Sequence, residues 1–172
     1  MQRRIGLTGG IASGKSSVGR LLEARGWPVL DADRYARDAL APNTPSSEAV
    51  VERFGATVGS ASNLDRKALG RIVFNDSVER RWLEDLIHPV VRDRFDQELD
   101  ALGGEPVVVL MIPLLFEAGL ESLCSEIWVV DCTPEQQLAR MMQRDGLSEA
   151  EAQARLLAQW PLTRKRDLAD RV

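Results

Sequence analysis

Gly9-Gly10-Ile11-Ala12-Ser13-Gly14-Lys15-Ser16 fits the phosphate-cradling pattern G-x-x-x-x-G-K-[ST], and what flanks it decides the fold. Ahead of it, Arg4-Ile5-Gly6-Leu7-Thr8 is short and partly apolar and reads as a buried strand. Behind it, Val18, Leu21 and Leu22 recur at helical spacing until Gly26, a C-terminal stop. Strand, glycine loop and helix are the setting that the motif requires. The glycines carry no β-carbon, so the backbone turns tightly and brings its N–H groups up to phosphate oxygens. The helix beginning near Lys15 adds the positive end of its dipole. The Lys15 ammonium reaches β- and γ-phosphates, and the Ser16 hydroxyl is placed to ligate Mg²⁺. Gly10, Ile11, Ala12, Ser13, Gly14, Lys15, Ser16 and Ser17 are therefore the expected contacts of a nucleoside triphosphate.

Working outward, 172 residues suffice for one compact core with small excursions. A net charge of −4 argues against a general nucleic-acid footprint. No apolar run approaches the length of a membrane span, and Met1-Gln2-Arg3-Arg4 leads straight into the first strand, so a cytoplasmic protein without a leader is expected. Cys124 and Cys132 lack zinc-ligand spacing and read as reduced, buried thiols, and the lone His88 cannot build a histidine metal site.

Trp27-Pro28-Val29-Leu30 is a second apolar run, ending in Asp31-Ala32-Asp33. A helix is expected from about Arg34 to Leu40, broken by Pro42-Asn43-Thr44-Pro45. Ser46 or Ser47 caps the next helix, which stops at Gly55, and Thr57 to Asn63 reads as a loop. Asp65 caps a helix through Phe74, and Asp76-x-x-Glu79 opens a longer one that Pro89 kinks or restarts before Gly103-Gly104. The span from Arg34 to Leu102 thus reads as wholly helical, an inserted subdomain between strands of one sheet. Pro106 to Ile112 and Ile127 to Val130 are continuous apolar runs of the kind buried in parallel sheets. Thr133-Pro134-Glu135-Gln136 and Ser148-Glu149-Ala150-Glu151 open further helices. Alternating strands and helices predict a three-layer α/β/α fold around a parallel sheet. The expected division is 1–33 with 104–136 and 161–172 as nucleotide-binding core, 34–103 as helical insertion and 137–160 as a short lid.

Asp31 and Asp33 end the second strand and point to one side if the backbone stays extended. Ligands of open α/β sheets bind at that rim. There a carboxylate can orient an acceptor hydroxyl and take its proton, the role expected of Asp33. Asp31 is either a Mg²⁺ ligand, direct or through water, or a helix cap. Asp131 ends an apolar run as a Walker B acid does, but a helix starts just beyond, so a structural role stands beside metal binding. Arg140 and Arg144 share a helix face, followed by Arg155, Arg164, Lys165 and Arg166. They read either as a solvated surface or as a lid that brings arginines over the triphosphate.

Taken together, these residues resemble the dephospho-CoA kinase family. The matching pieces are Ile5 through Ser16, Asp31-Ala32-Asp33, Leu64-Asp65-Arg66 with Leu69 and Phe74, and Ile87-His88-Pro89. Ile112-Pro113-Leu114-Leu115-Phe116-Glu117, Gln137-x-x-Arg140 with Arg144-Asp145, and Ala158-Gln159 complete the set in family order. The resemblance implies phosphorylation of the ribose 3′-hydroxyl of dephospho-CoA by Mg-ATP. It implies a P-loop core, a helical CoA-binding domain at 34–103 and a lid. Asp33 would be the base, Lys15 and Arg140 would bind phosphates, and His88 would lie on the substrate side or be structural. Met111 departs from the acid that many relatives carry there, and relatives continue beyond Ala169-Asp170-Arg171-Val172 with a turn near adenine. Two other readings compete: a P-loop kinase of nucleoside monophosphates or sugar alcohols, and a nucleotide-binding switch.

Overall fold

The computed structural model describes residues 1–172. A parallel sheet places β1 (Arg3–Gly9) between β5 (Val107–Met111) and β6 (Glu126–Val130), with β2 (Val29–Asp31) at the edge beside β5. The register runs Leu7 opposite Met111 and Met111 opposite Asp31, so the end of β2 lies level with the end of β5. Ile5, Leu7, Val108, Val109 and Leu110 are wholly or almost wholly buried, which is why β1 and β5 read as unbroken apolar runs. Leu22 of α1 (Lys15–Glu23) closes one face of this core over Ile5, Leu7 and Val109. The last residues pair too: Arg171 bridges Trp128 in parallel, and the Asp170 carboxylate accepts the Ile127 N–H at 2.7 Å.

The chain divides into two compact units, Met1–Ala32 with Leu99–Val172, and Asp33–Glu98. The first is the three-layer α/β/α unit. The second holds α2 (Ala32–Ala39) from Asp33 on, then α3 (Pro45–Phe54), α4 (Arg66–Asn75) and most of α5 (Ser77–Ala101). Its core gathers Val50, Val58 and Leu69, with Phe54, Trp82 and Leu86 packed against them. Arg53 lies over the Trp82 ring at 4.7 Å and pairs with Glu79.

The structure departs from the sequence pattern at several points. The segment 57–63 is not a plain loop: a 3₁₀ turn over Gly55–Val58 leads into a small antiparallel hairpin, β3 (Gly59–Ser60) with β4 (Asn63–Leu64). The insertion is therefore not wholly helical. Gly59 makes the hairpin possible, since at φ 84° a β-carbon would press on the Asn63 carbonyl. Thr44, not Ser46 or Ser47, caps α3; it accepts the Ser47 N–H, with Pro45 at the first helical position. Of the two effects expected of Pro89, a kink or a restart, the restart does not occur: α5 runs through it as one helix. Asp76 does cap that helix, accepting from Val78 and Glu79, but the Glu79 side chain goes to Arg53 instead of closing the box. Finally, α2 begins at Ala32, not at Arg34, so Asp33 stands in a helical turn and the expected strand alternation of Asp31 and Asp33 does not hold.

Candidate functional site

The loop after β1 is a turn closed by the Ser13 N–H on the Gly10 carbonyl at 3.2 Å. Two residues in it adopt positive φ, Ala12 at 57° and Gly14 at 98°. For Gly14 that conformation is free, whereas an alanine there is strained by about 1 kcal/mol. Lys15 opens α1 half-buried, with Ser16 and Ser17 exposed in its first turn. Ser13 is buried, and its hydroxyl has no hydrogen-bond partner.

What holds the loop comes from much later in the chain. Gln137, in the first turn of α6 (Pro134–Asp145), donates through Nε2 to the Ile11 carbonyl at 2.7 Å. Gln159, just beyond α7 (Glu149–Leu157), accepts the Ile11 N–H at 2.9 Å. Arg140 donates through Nη1 to the Ala12 carbonyl at 3.1 Å. Gly10 leaves room for this approach, since a β-carbon there would press on the Gln137 amide and force it to shift. A Thr133–Gln136 capping box fixes the start of α6 and a Ser148–Glu151 box the start of α7.

Under the same rim lies Lys165 of α8 (Leu162–Asp167), a helix the sequence did not announce. It is wholly buried. Its ammonium donates to the Gly9 and Pro113 carbonyls, each at 3.2 Å, and pairs with Glu117 at 2.8 Å. All three donors of the ammonium are used. Glu117 also accepts the Trp160 N–H, while its Oε2 is buried without a partner. Trp160 stacks parallel to Phe116 and carries the Arg164 guanidinium over its ring, 3.4 Å from the centroid. A cavity of about 650 Å³ opens beside Gly10. Thr133, Gln137, Gln159, Trp160 and Arg166 are among the residues lining it.

Asp31 ends β2, half-buried, and Asp33 is exposed in the first turn of α2, where an acid suits the helix dipole. His88 is exposed on α5 of the helical unit. Arg144 is bound two-pronged to Asp145, which holds that carboxyl below its usual range, and Arg155 approaches the same acid at 3.9 Å. Asp131 pairs with Arg166 at 2.8 Å, which is the structural role considered for it. Cys124 and Cys132 (the latter near Arg140) are free, but both are half-buried where buried thiols were expected. Burial pushes the Cys124 thiol up to about 12. Lys165 was hidden among arginines. The one available signal is its spacing of three from Leu162, which puts the two on one face of α8.

The family model described as dephospho-CoA kinase matches residues 3–172. A dephospho-CoA kinase of Parasynechococcus marenigrum is 78% identical over 170 residues, covering 99% of this chain and 86% of that one. A crystal structure from Thermus thermophilus is similar with a TM-score of 0.88 at 41% identity, over 99% of this chain and 87% of that one. The dephospho-CoA kinase from Campylobacter jejuni has a TM-score of 0.72 at 31% identity, over 100% and 88%.

Proposed function

The chain belongs to the dephospho-CoA kinase family and is an ATP-dependent phosphotransferase; from that premise we propose how its residues move the γ-phosphoryl group of ATP to the ribose 3′-hydroxyl of dephospho-CoA. The observation that carries the proposal is the loop itself. Its positive-φ residues Ala12 and Gly14 flank Ser13 at the start of α1, with Lys15 as the first helical residue. The N–H groups of residues 10–17 and the α1 dipole receive the phosphates, and Lys15 neutralises β- and γ-oxygens. Arg140, already against the loop at Ala12, turns to the transferred group.

Asp33 takes the 3′-hydroxyl proton as the oxygen attacks the γ-phosphorus, and the bond from phosphorus to the β,γ-bridging oxygen breaks to release ADP. Mg²⁺ keeps water and phosphate ligands and needs only one or two protein oxygens; Ser16, exposed in the first turn of α1, and Asp31, at the end of β2, would supply them. When bound with the nucleotide, Mg²⁺ supplies charge neutralisation at the β- and γ-oxygens. We assign 34–103, with His88, to the CoA end of the acceptor, and 137–160, with Arg140, Arg144 and Arg155, to a lid that excludes water. No helix is long and apolar enough to cross a membrane. The free thiols suit a reducing cytoplasm, where we place the reaction, with no nucleic-acid partner.

The test is ADP release with Mg-ATP and dephospho-CoA, with mass spectrometry of the acceptor. One added phosphate is expected, lost in Lys15→Ala. Asp33→Asn should keep ATP binding while transfer falls by roughly a hundredfold or more. Near-normal turnover in that variant removes Asp33 from the base role. Transfer to a different acceptor alone would overturn the substrate assignment.

A further inference from the structure

The segment 137–160 is fastened at both of its ends to a single residue of the phosphate loop. Gln137 holds the Ile11 carbonyl and Gln159 holds the Ile11 N–H, so two side-chain amides grip the two main-chain polar groups of one residue. The geometry leaves the grip little slack. Gln137 is 3% exposed, and Gly10 yields the space that its amide occupies. The next residue, Ala12, is the strained one, and its carbonyl takes the Arg140 guanidinium. A left-handed alanine persists only where its surroundings over-determine it, and these three side chains are the surroundings.

We propose that Gln137 and Gln159 are positioning residues for phosphoryl transfer: they hold Ile11 so that Ala12 keeps its positive φ and the phosphate-binding N–H groups stay aimed. The clamp rests on the reading of 137–160 as a lid. On that reading it also couples the two movements. The lid cannot shift at either end without pulling on Ile11, and nucleotide seated in the loop stiffens both lid attachments. Arg140 works between them, bonded to Ala12 until a phosphate oxygen competes for it.

The two amides play opposite hydrogen-bonding roles, which makes the proposal testable by exchange of one group for another. Gln159→Glu keeps an acceptor for the Ile11 N–H, whereas Gln137→Glu loses the donor and sets a carboxylate against the Ile11 carbonyl. In nucleotide-free protein, amide hydrogen exchange at Ile11 should rise roughly tenfold in Gln159→Ala, as for one lost hydrogen bond, and stay near wild type in Gln159→Glu. The KM for ATP should rise roughly tenfold in Gln137→Ala and Gln159→Ala, with the KM for dephospho-CoA within about twofold of wild type. The double variant should fall little further than the worse single one, because either loss releases the same residue. Unchanged Ile11 exchange in Gln159→Ala, or equal rises in both KM values, overturns the clamp. Wild-type protein that fails to phosphorylate dephospho-CoA would count against the kinase reading instead, and the exchange measurement would still decide the clamp.

Discussion

The two units are built on different chemistry. In the α/β unit, buried strands form the core and one charge, Lys165, sits wholly inside it, answered by Glu117 and two carbonyls. In the helical unit the apolar cluster is edged by a guanidinium at the surface: Arg53 lies on Trp82 and Phe54 and meets Glu79 where water reaches both. A buried pair is dear to break and adds little when intact, while an exposed one is cheap in both directions. The difference teaches where function concentrates. The unit that tolerates a buried ammonium under its rim is the one that must hold a phosphate loop still.

Breaking the buried pair should have the largest effect. Lys165→Met leaves the Glu117 carboxylate without its counterion and should cost about 3 kcal/mol in urea unfolding. Adding Glu117→Gln should recover part of it. A loss under about 1 kcal/mol would mean that the pair is not the anchor its burial suggests. Arg53→Ala, its counterpart in the helical unit, should cost about 1 kcal/mol or less, with no change in the KM for ATP. If both substitutions destabilise equally, the contrast between the units fails.

The smallest effect at neutral pH belongs to Cys124. Its folded-state thiol is pushed up to about 12 by burial, above the ordinary thiol range of the unfolded chain. The folded state therefore keeps a proton that the unfolded state gives up. The stability it contributes is full below the ordinary thiol range and falls as pH rises through that range toward 12. Cys124→Ala should flatten this alkaline decline. Iodoacetamide should label Cys132 before Cys124 in native protein, and the reverse order would contradict the burial argument.

Much of this was legible in the chain because the signals were local. Glycines beside an apolar run and ahead of a lysine can hardly be read otherwise, and Thr133-Pro134 with Gln136 states a helix start outright. Asp33 was misplaced in conformation because Ala32 and the residues after it suit a helix better than an extended strand, and an acid in the first turn complements the dipole. The hairpin at 59–64 was missed because its strands are two residues long and carry no alternation. The grip of Gln137 and Gln159 on Ile11 was not legible at all, and Lys165 only through its spacing from Leu162. Their meaning lies in pairings across most of the chain, and composition gives a lysine between two arginines to the solvent.

The placement of β1 has a consequence for how the molecule is made. Its register partners are Arg3 with Val107 and Ile5 with Glu126, so both neighbours of the central strand are synthesised after the entire helical unit. The first strand to leave the ribosome has no partner until β5 follows, and its second neighbour, β6, comes later still. Until then its apolar face waits unpaired, while helices with local contacts assemble behind it. Slow, non-local closure of the sheet around β1, not helix formation, should therefore limit the folding rate and set the window in which the nascent chain needs a chaperone.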